Sequence, residues 1–217
     1  MPQSKNPEAR KLTIATTGAS GSIFLKQMLL TLEADRRVAE VNFVAYGNSL
    51  RVMAEELRGP QHASFSARAG VELRDRQNLV GQLLGRESKK FRQHSNTDIG
   101  ANIASGSYPV DAMVVIPCSM GTLAKIANGI ASELIGRAAD VCLKERRPLV
   151  LCVRETPLNR IHLRNMLLAN DAGATIYPLI PTFYNQPASL EEMARAFVNR
   201  VLQHIGLPQP GAYTWKG

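Results

Sequence analysis

The sequence predicts an α/β fold in which a doubly wound parallel sheet lies between two helical layers, within a single domain. Short apolar runs, typical of strands buried on both faces, alternate with segments whose apolar residues recur at helical spacing. The connections between most of these segments are short, which favours parallel βαβ units. A length of 217 residues, 45% of them hydrophobic, suits one domain with a sizeable core.

The first half of the chain contains two strand–helix pairs followed by a less regular segment. Strands are predicted at 11–16 (KLTIAT) and 41–45 (VNFVA), because both are apolar runs of strand length. Helices are predicted at 23–34 and 49–57, where the apolar residues have helical spacing. The segment 58–95 is polar, charged and weakly periodic, so we expect a long excursion off the sheet.

The second half continues the same alternation to the end of the domain. Three further strands are predicted at 112–117 (AMVVIP), 149–153 (LVLCV) and 175–179 (TIYPL). Helices are predicted between and after them, at 123–143, 161–172 and 189–205. Ser189 and Glu192 have the spacing of a capping box at the start of the last helix. The domain therefore spans 11–207, between an N-terminal tail (1–10) and a C-terminal arm (208–217).

The formal net charge of +8 raises the question of a nucleic-acid partner. The basic residues are dispersed and aromatics make up only 6% of the chain, so no such partner is predicted. No apolar run approaches the roughly 20 residues of a membrane helix, and the N-terminus has no apolar core of a secretory signal. Cys118, Cys142 and Cys152 lie in apolar segments without a CxxC pair, which indicates a reducing cytoplasm and no zinc site.

Two turns rich in small residues follow predicted strands, at 17–22 (TGASGS) and 118–122 (CSMGT). Glycine lets the backbone approach a ligand, and the free amides at the start of the following helix would face an anion. The first turn has neither GxGxxG spacing nor a GK[ST] sequence, so it predicts neither a dinucleotide fingerprint nor a P-loop. Two such turns at one sheet edge favour a ligand crevice, whereas helix capping without a ligand is the alternative.

Cationic residues surround the most distinctive segment, the apolar run 148–153 (PLVLCV). Arg154 and Glu155 end this strand, where parallel sheets bind ligands, and Arg137 and Lys144 precede it on the predicted helix. Such a cluster suits a phosphorylated ligand, although a surface ion pair between Arg154 and Glu155 is the alternative.

A second group of polar residues lies near the end of the chain. Tyr184 is presented between two prolines, and Arg200 on the last helix could complete a phosphate-binding set. His94 and His162 have no neighbours at metal-ligand spacing, so no metal is predicted and His162 is given a structural role. No serine stands in GxSxG, so a hydrolase is not predicted.

Four segments carry a family resemblance, namely TGASG, the long run IPCSMGTLAKIANGIASELIGRAADVCLKERRPLVLCVRETP, IHLRNM and PTFYNQP. Together they resemble the UbiX-type flavin prenyltransferases. The resemblance implies a flavodoxin-like αβα domain that assembles as a dodecamer, with active sites between subunits. It also implies transfer of the dimethylallyl group of dimethylallyl monophosphate to reduced FMN without a metal. The product, prenylated FMN, would serve a UbiD-type decarboxylase.

The resemblance assigns roles to residues by position. It places Ser20 and Glu56 near the flavin ring and makes Glu155 the acid that assists departure of the phosphate. Residues implied to hold FMN are Gly18, Ala19, Ser20, Gly21, Ser119, Met120, Gly121, Thr122 and Arg154. Residues implied to hold or adjoin the prenyl phosphate are Lys144, Arg154, Tyr184, Arg200, Arg137 and Trp215.

The chain also departs from this family pattern. Tyr46 stands where relatives commonly have a serine that contacts FMN, and Glu55 competes with Glu56 for the carboxylate position. Two other functions remain open. An FMN-dependent decarboxylase of the cysteine-decarboxylase group would need PASANT-like and PxMN motifs, which the chain lacks. A non-catalytic FMN carrier would lack some of the residues of the phosphate-binding set, whereas this chain has Lys144, Arg154, Glu155, Tyr184 and Arg200. Whether the donor is a monophosphate or a diphosphate, and which pathway is served, is left open.

Overall fold

The computed structural model describes residues 9–57 and 78–214. The strands are β1 (Arg10–Thr16), β2 (Val38–Ala45), β3 (Phe91–Ser95), β4 (Ala112–Cys118), β5 (Leu149–Val153) and β6 (Thr175–Ile176). The helices are α1 (Ser22–Ala34), α2 (Ser49–Glu56), α3 (Leu79–Leu84), α4 (Met120–Ala127), α5 (Leu134–Lys144), α6 (Arg160–Asp171) and α7 (Leu190–His204). Most of the predicted N-terminal tail, the first part of the 58–95 segment and Trp215 lie outside the described residues.

The six strands form one parallel sheet in the order β3-β2-β1-β4-β5-β6. The chain winds outward from β1 to β3 and then returns to the centre at β4, so the winding reverses between β1 and β4. The doubly wound parallel sheet predicted from the sequence is confirmed. In such sheets the crevice at the carboxyl ends of the strands beside this reversal is the usual ligand site.

Side chains alternate between two cores along each central strand, as the pleat of a strand requires. On β4, Val114 faces the cluster packed by α1 and α7, whereas Val115 faces the cluster packed by α4, α5 and α6. On β1, Ile14 faces the first of these clusters and Ala15 faces the second. All four side chains are almost fully buried. The continuous apolar runs of the sequence therefore arise from burial on both faces.

Three sequence predictions are corrected. Residues 91–95 were assigned to an excursion off the sheet, but they form β3, an edge strand that pairs in parallel with β2. The single helix expected at 123–143 is two helices, because α4 ends at Ala127 and its C-cap, Asn128, is followed by Gly129 with a φ of 66°, a conformation that favours glycine. The strand expected at 175–179 is short, although the Leu179 amide still donates to the carbonyl of Val153 (2.8 Å).

The helix caps confirm one local prediction and refine another. The Ser189 hydroxyl caps α7 by accepting from the Glu192 amide (3.1 Å), but the Glu192 carboxylate accepts from the amide of Ala188 (2.8 Å) rather than from that of Ser189. His162 has the predicted structural role, because its ring and the Asn159 side chain form a capping box at the start of α6. Within residues 9–57 and 78–214, no helix has the length and apolar character needed to cross a membrane.

Candidate active site

The two predicted turns meet at the carboxyl edge of the sheet, where β1 and β4 end side by side. Thr17 joins them, since its hydroxyl donates to the carbonyl of Pro117 (3.0 Å) and accepts from the amide of Ser119 (2.8 Å). Its amide also donates to the Pro117 carbonyl (3.2 Å). Sequence reasoning gave Thr17 no role. Its position directly after the first strand, together with its hydroxyl, could have indicated a role at the crevice.

The first turn is held by a carboxylate from α2. Both oxygens of Glu56 accept from the Gly21 amide (3.0 and 3.1 Å), and one accepts from the Ser22 amide (2.7 Å). Burial opposes ionisation of Glu56, but hydrogen bonds from Ser20, Ser22 and Gly21 outweigh it and place its pKa below the ordinary value. The alternative assignment to Glu55 is not supported by these contacts.

These contacts correct the expectation that free amides at the start of α1 face an anion. The amides of Gly21 and Ser22 are already donated to a carboxylate of the same chain. Gly21 itself has a φ of 121°, and a β-carbon there would come within 2.6 Å of the Leu179 side chain. The first turn is therefore fixed at the edge of the crevice, and its amides at the start of α1 already have the Glu56 carboxylate as their acceptor.

The second turn begins α4. The Ser119 hydroxyl accepts from the Thr122 amide (3.4 Å) and donates to the Thr122 hydroxyl (3.2 Å). A β-carbon on Gly121 would meet nothing within 4 Å, so the turn opens onto free space. The Arg154 amide donates to the carbonyl of Cys118 (3.1 Å), which places the end of β5 directly beside this turn.

Arg154 and Glu155 are both exposed at the carboxyl edge. Glu155 accepts from the Thr156 amide (2.9 Å). Within the part of the chain that the structure describes, no ion pair joins Arg154 to Glu155. Both side chains are thus exposed at this edge without the mutual pairing that the alternative interpretation required.

Tyr184 and Arg200 come together, as expected, but away from Arg154. They line a small cavity of about 120 Å³, in which the ring of Tyr213 lies 5.6 Å from that of Tyr184. Arg200 lies ten residues beyond the start of α7, about 15 Å along the helix axis. Since α7 runs antiparallel to the strands, Arg200 is carried away from the carboxyl edge.

Lys144 lies at the opposite edge of the sheet. It ends α5, where its ammonium pairs with Glu145 beside Gly106. The strand between Lys144 and Arg154 has five residues, a length of about 17 Å. One chain therefore does not bring the predicted phosphate-binding residues into a single cluster.

Arg137 and Tyr46 also have defined positions. Arg137 donates to the carbonyl of Ala104 (3.1 Å) and pairs with Asp140 (2.9 Å), so it is held along α5. The Tyr46 ring packs on the core under α4 and α5, with the Lys125 ammonium 5.6 Å from its centre, and it lines a small cavity together with Thr122. At position 46, where the family pattern has a serine, this chain therefore has a tyrosine whose ring contacts Lys125.

A cleft of about 590 Å³, not expected from the sequence, lies at the ends of β2 and β3. Tyr46, His94, Asn96 and Glu133 are among its lining residues. His94 bonds to the Asn42 side-chain oxygen (2.8 Å), and burial lowers the pKa of the ring. The residues that the structure describes contain no cluster of potential metal ligands.

Comparison with known proteins decides the family. A model described as Flavoprotein matches residues 1–202. The flavin prenyltransferase UbiX of Deinococcus radiodurans is 41% identical over 206 residues, which is 95% of this chain and 93% of that protein. The chain belongs to the UbiX family of flavoproteins.

Solved UbiX-type structures have the same fold. AnUbiX (PadA1), in complex with FMN and dimethylallyl pyrophosphate, has a TM-score of 0.79 at 36% identity and covers 96% of this chain and 98% of its own. A dodecameric FMN-dependent UbiX-like decarboxylase from Escherichia coli O157:H7 has a TM-score of 0.78 at 39% identity, over 95% of this chain and 100% of its own. The predicted flavodoxin-like αβα fold is confirmed.

The cysteine-decarboxylase alternative shares only this fold. The FMN-dependent cysteine decarboxylase TvaF is 16% identical, with a TM-score of 0.52 over 76% of this chain and 88% of its own. The UbiX resemblance is therefore much closer across the whole chain, as the quoted motifs predicted.

Proposed function

We propose that this protein is a flavin prenyltransferase, which joins the dimethylallyl group of a dimethylallyl phosphate to reduced FMN. The observation that carries the proposal is the position of Arg154 and Glu155. They end β5 beside the Ser119–Thr122 turn, at the edge where a doubly wound sheet binds ligands. Prenylated FMN is the product, and a UbiD-type decarboxylase is the proposed user of it.

The residues around the crevice fit FMN. Open space beside Gly47 and Gly121, where an added β-carbon would meet nothing within 4 Å, leaves the backbone of two turns accessible. Hydroxyls of Ser20 and Thr122 and the guanidinium of Arg154 provide hydrogen-bonding partners for a flavin. Residues proposed to hold FMN are Gly18, Ala19, Ser20, Gly21, Ser119, Met120, Gly121, Thr122 and Arg154.

Glu155 is proposed as the acid of the transfer. A phosphate leaves an allylic carbon more readily when its developing charge is met by cations and a proton. Glu155 is exposed at the carboxyl edge, and within residues 9–57 and 78–214 its carboxylate accepts one local hydrogen bond, from the Thr156 amide, so solvent and substrate can reach it. Glu56, with Ser20, would fix the turn against which the flavin ring lies, a positioning role.

The prenyl phosphate is proposed to bind between subunits. Lys144 lies at the opposite edge from Arg154, and Tyr184 and Arg200 line a separate cavity, so neighbouring copies would bring these groups to the crevice. Arg137 would adjoin the same site, and Trp215 keeps the role that the family motif implies.

An apolar surface supports the assembly of several copies. Large hydrophobic side chains on α6 and in the loop before α7 are 47–70% exposed, namely Ile161 and Leu163, Leu167 and Leu168, Ile180 and Phe183. Exposed apolar patches of this kind mark protein–protein contacts. A homododecamer is the proposed assembly. Residence in the cytoplasm stays a prediction from the three unpaired cysteines.

The reaction itself can be tested directly. Purified protein is incubated anaerobically with reduced FMN and dimethylallyl monophosphate, and the extracted flavin is weighed by mass spectrometry. A flavin heavier by one five-carbon prenyl unit is expected, and the diphosphate is compared in parallel to identify the donor. Unmodified flavin from both reactions would contradict the proposal, and bound but unmodified FMN would favour the carrier.

Sharing of the site between subunits can be tested by complementation. Lys144→Ala and Glu155→Gln are each expected to abolish turnover. If the two residues of one site come from different subunits, hybrids of the two variants regain roughly a quarter of the activity by random assembly. A pair of Arg154→Ala and Glu155→Gln is the matched control, because both residues come from one strand end and no hybrid site is intact. Failure of the first pair to recover activity would place the site within one chain.

A further inference from the structure

The phosphate of FMN requires positive charge that the described turns only partly supply. At the start of α1, Glu56 already accepts from the amides of Gly21 and Ser22, so a second anion there would be repelled. The first turn, 17–22, contains no basic residue. The start of α4 remains, where the amides and hydroxyls of the 119–122 turn face open space.

Lys125 is the only charged residue of α4. It lies three residues after Thr122, on the same face of the helix. Side chains in a helix lean toward its N-terminus, so the Lys125 ammonium is directed toward the first turn. Thr122 and Lys125 line one small cavity together with Tyr46 and Glu133.

Two partners hold this ammonium in place. Glu133, at the start of α5, accepts from Lys125 (2.9 Å), and this hydrogen bond raises the pKa of the amine. The Tyr46 ring lies beneath it, with the ammonium 5.6 Å from the ring centre. Glu133 occupies one of three ammonium donors, and two remain for an anion.

We infer that Lys125 binds the phosphate group of FMN, with Glu133 and Tyr46 as the residues that position it. The inference rests on the proposed function, because it assigns FMN to the crevice. Tyr46, which departs from the family pattern, then contributes through its ring rather than through its hydroxyl. The residues that would hold the phosphate are thus Lys125 and the 119–122 turn at the start of α4.

Comparison of FMN with riboflavin, which lacks only the phosphate, tests this inference. Dissociation constants of the full-length protein for both oxidised flavins are measured by quenching of flavin fluorescence. Lys125→Met is expected to weaken FMN binding about tenfold and to leave riboflavin binding unchanged. Lys125→Arg retains most of the FMN affinity. Lys89→Met, which removes an exposed lysine ahead of β3, is the matched control and leaves both constants unchanged.

A variant at Glu133 is expected to change the preference for FMN over riboflavin in the opposite direction. Glu133→Gln keeps an oxygen that accepts from Lys125 but removes a negative charge near the phosphate, so the preference for FMN over riboflavin is expected to rise. Equal weakening of both flavins by Lys125→Met, or a fall in preference in Glu133→Gln, would overturn the inference. If Lys125→Met still binds FMN with the same preference over riboflavin as the unaltered protein, the role of Lys125 is overturned and the proposed function is not. Absence of flavin binding by the unaltered protein would remove the proposed function as well.

Discussion

The Glu56 carboxylate offers a quantitative test of how the first turn is held. Glu56→Ala removes the acceptor of the Gly21 and Ser22 amides. Two charge-assisted hydrogen bonds at the low end of their range would contribute about 3 kcal/mol, and screening of the exposed Glu56 by solvent reduces the contribution of the pair to about 2 kcal/mol. For a protein of this size, that lowers the melting temperature by about 4–8 °C. Glu56→Gln keeps one neutral acceptor, and about half of the loss is expected.

Thermal unfolding at fixed protein concentration measures this difference, with Glu55→Ala as the matched control on the same helical turn. Because the pKa of Glu56 is lowered in the folded state, its stabilisation is fully present above pH 4.5, the ordinary value. It is lost as the pH falls through the folded-state pKa. The difference between wild type and Glu56→Ala should therefore persist at neutral pH. Equal melting temperatures of Glu55→Ala and Glu56→Ala at pH 7 would refute the assignment.

Three further outcomes are expected. Burial lowers the pKa of His94, so stability should decrease as the pH falls below 6.5, and His94→Gln should flatten this dependence in denaturant titrations. Leu151 is fully buried, and Leu151→Ala should lower the free energy of unfolding by about 2–5 kcal/mol, against less than about 1 kcal/mol for the 53%-exposed Leu163→Ala. Burial raises the pKa of the Cys118 thiol to about 12 and that of Cys142 to about 11. Both should resist iodoacetamide at pH 8 until the protein unfolds, and rapid labelling of the native protein would contradict this.

The fold was predictable where burial alone determines the pattern. The runs at Leu12–Thr16 and Leu149–Val153 are apolar because both faces are covered, and both form strands. β3 was missed because its sequence, FRQHS, is polar. Arg92 pairs with Glu40 (3.1 Å), and His94 bonds to Asn42, so this strand is held by polar contacts with β2. Such pairs join residues far apart in the sequence and leave no periodic signal in either segment.

The candidate site was predictable in composition and only partly in geometry. Each predicted turn lies where a strand ends, and Glu56 reaches the first of them. Lys144 was grouped with Arg154 because the two are close in sequence, but a helix that precedes a parallel strand ends at the other edge of the sheet. Lys125 gave no signal, since its relation to Tyr46 and Glu133 depends on how α4 and α5 pack.

Both borders of the sheet resist addition of another strand. β3 carries charged and polar side chains, and β6 has only two residues, so neither offers a long apolar edge. These edges disfavour joining of copies through backbone hydrogen bonds that extend the sheet. We therefore expect copies to associate through side-chain surfaces, whose recognition depends on shape and sequence. An edge strand that disfavours pairing with extended peptides makes assembly selective. It also protects the monomer from edge-to-edge aggregation during folding.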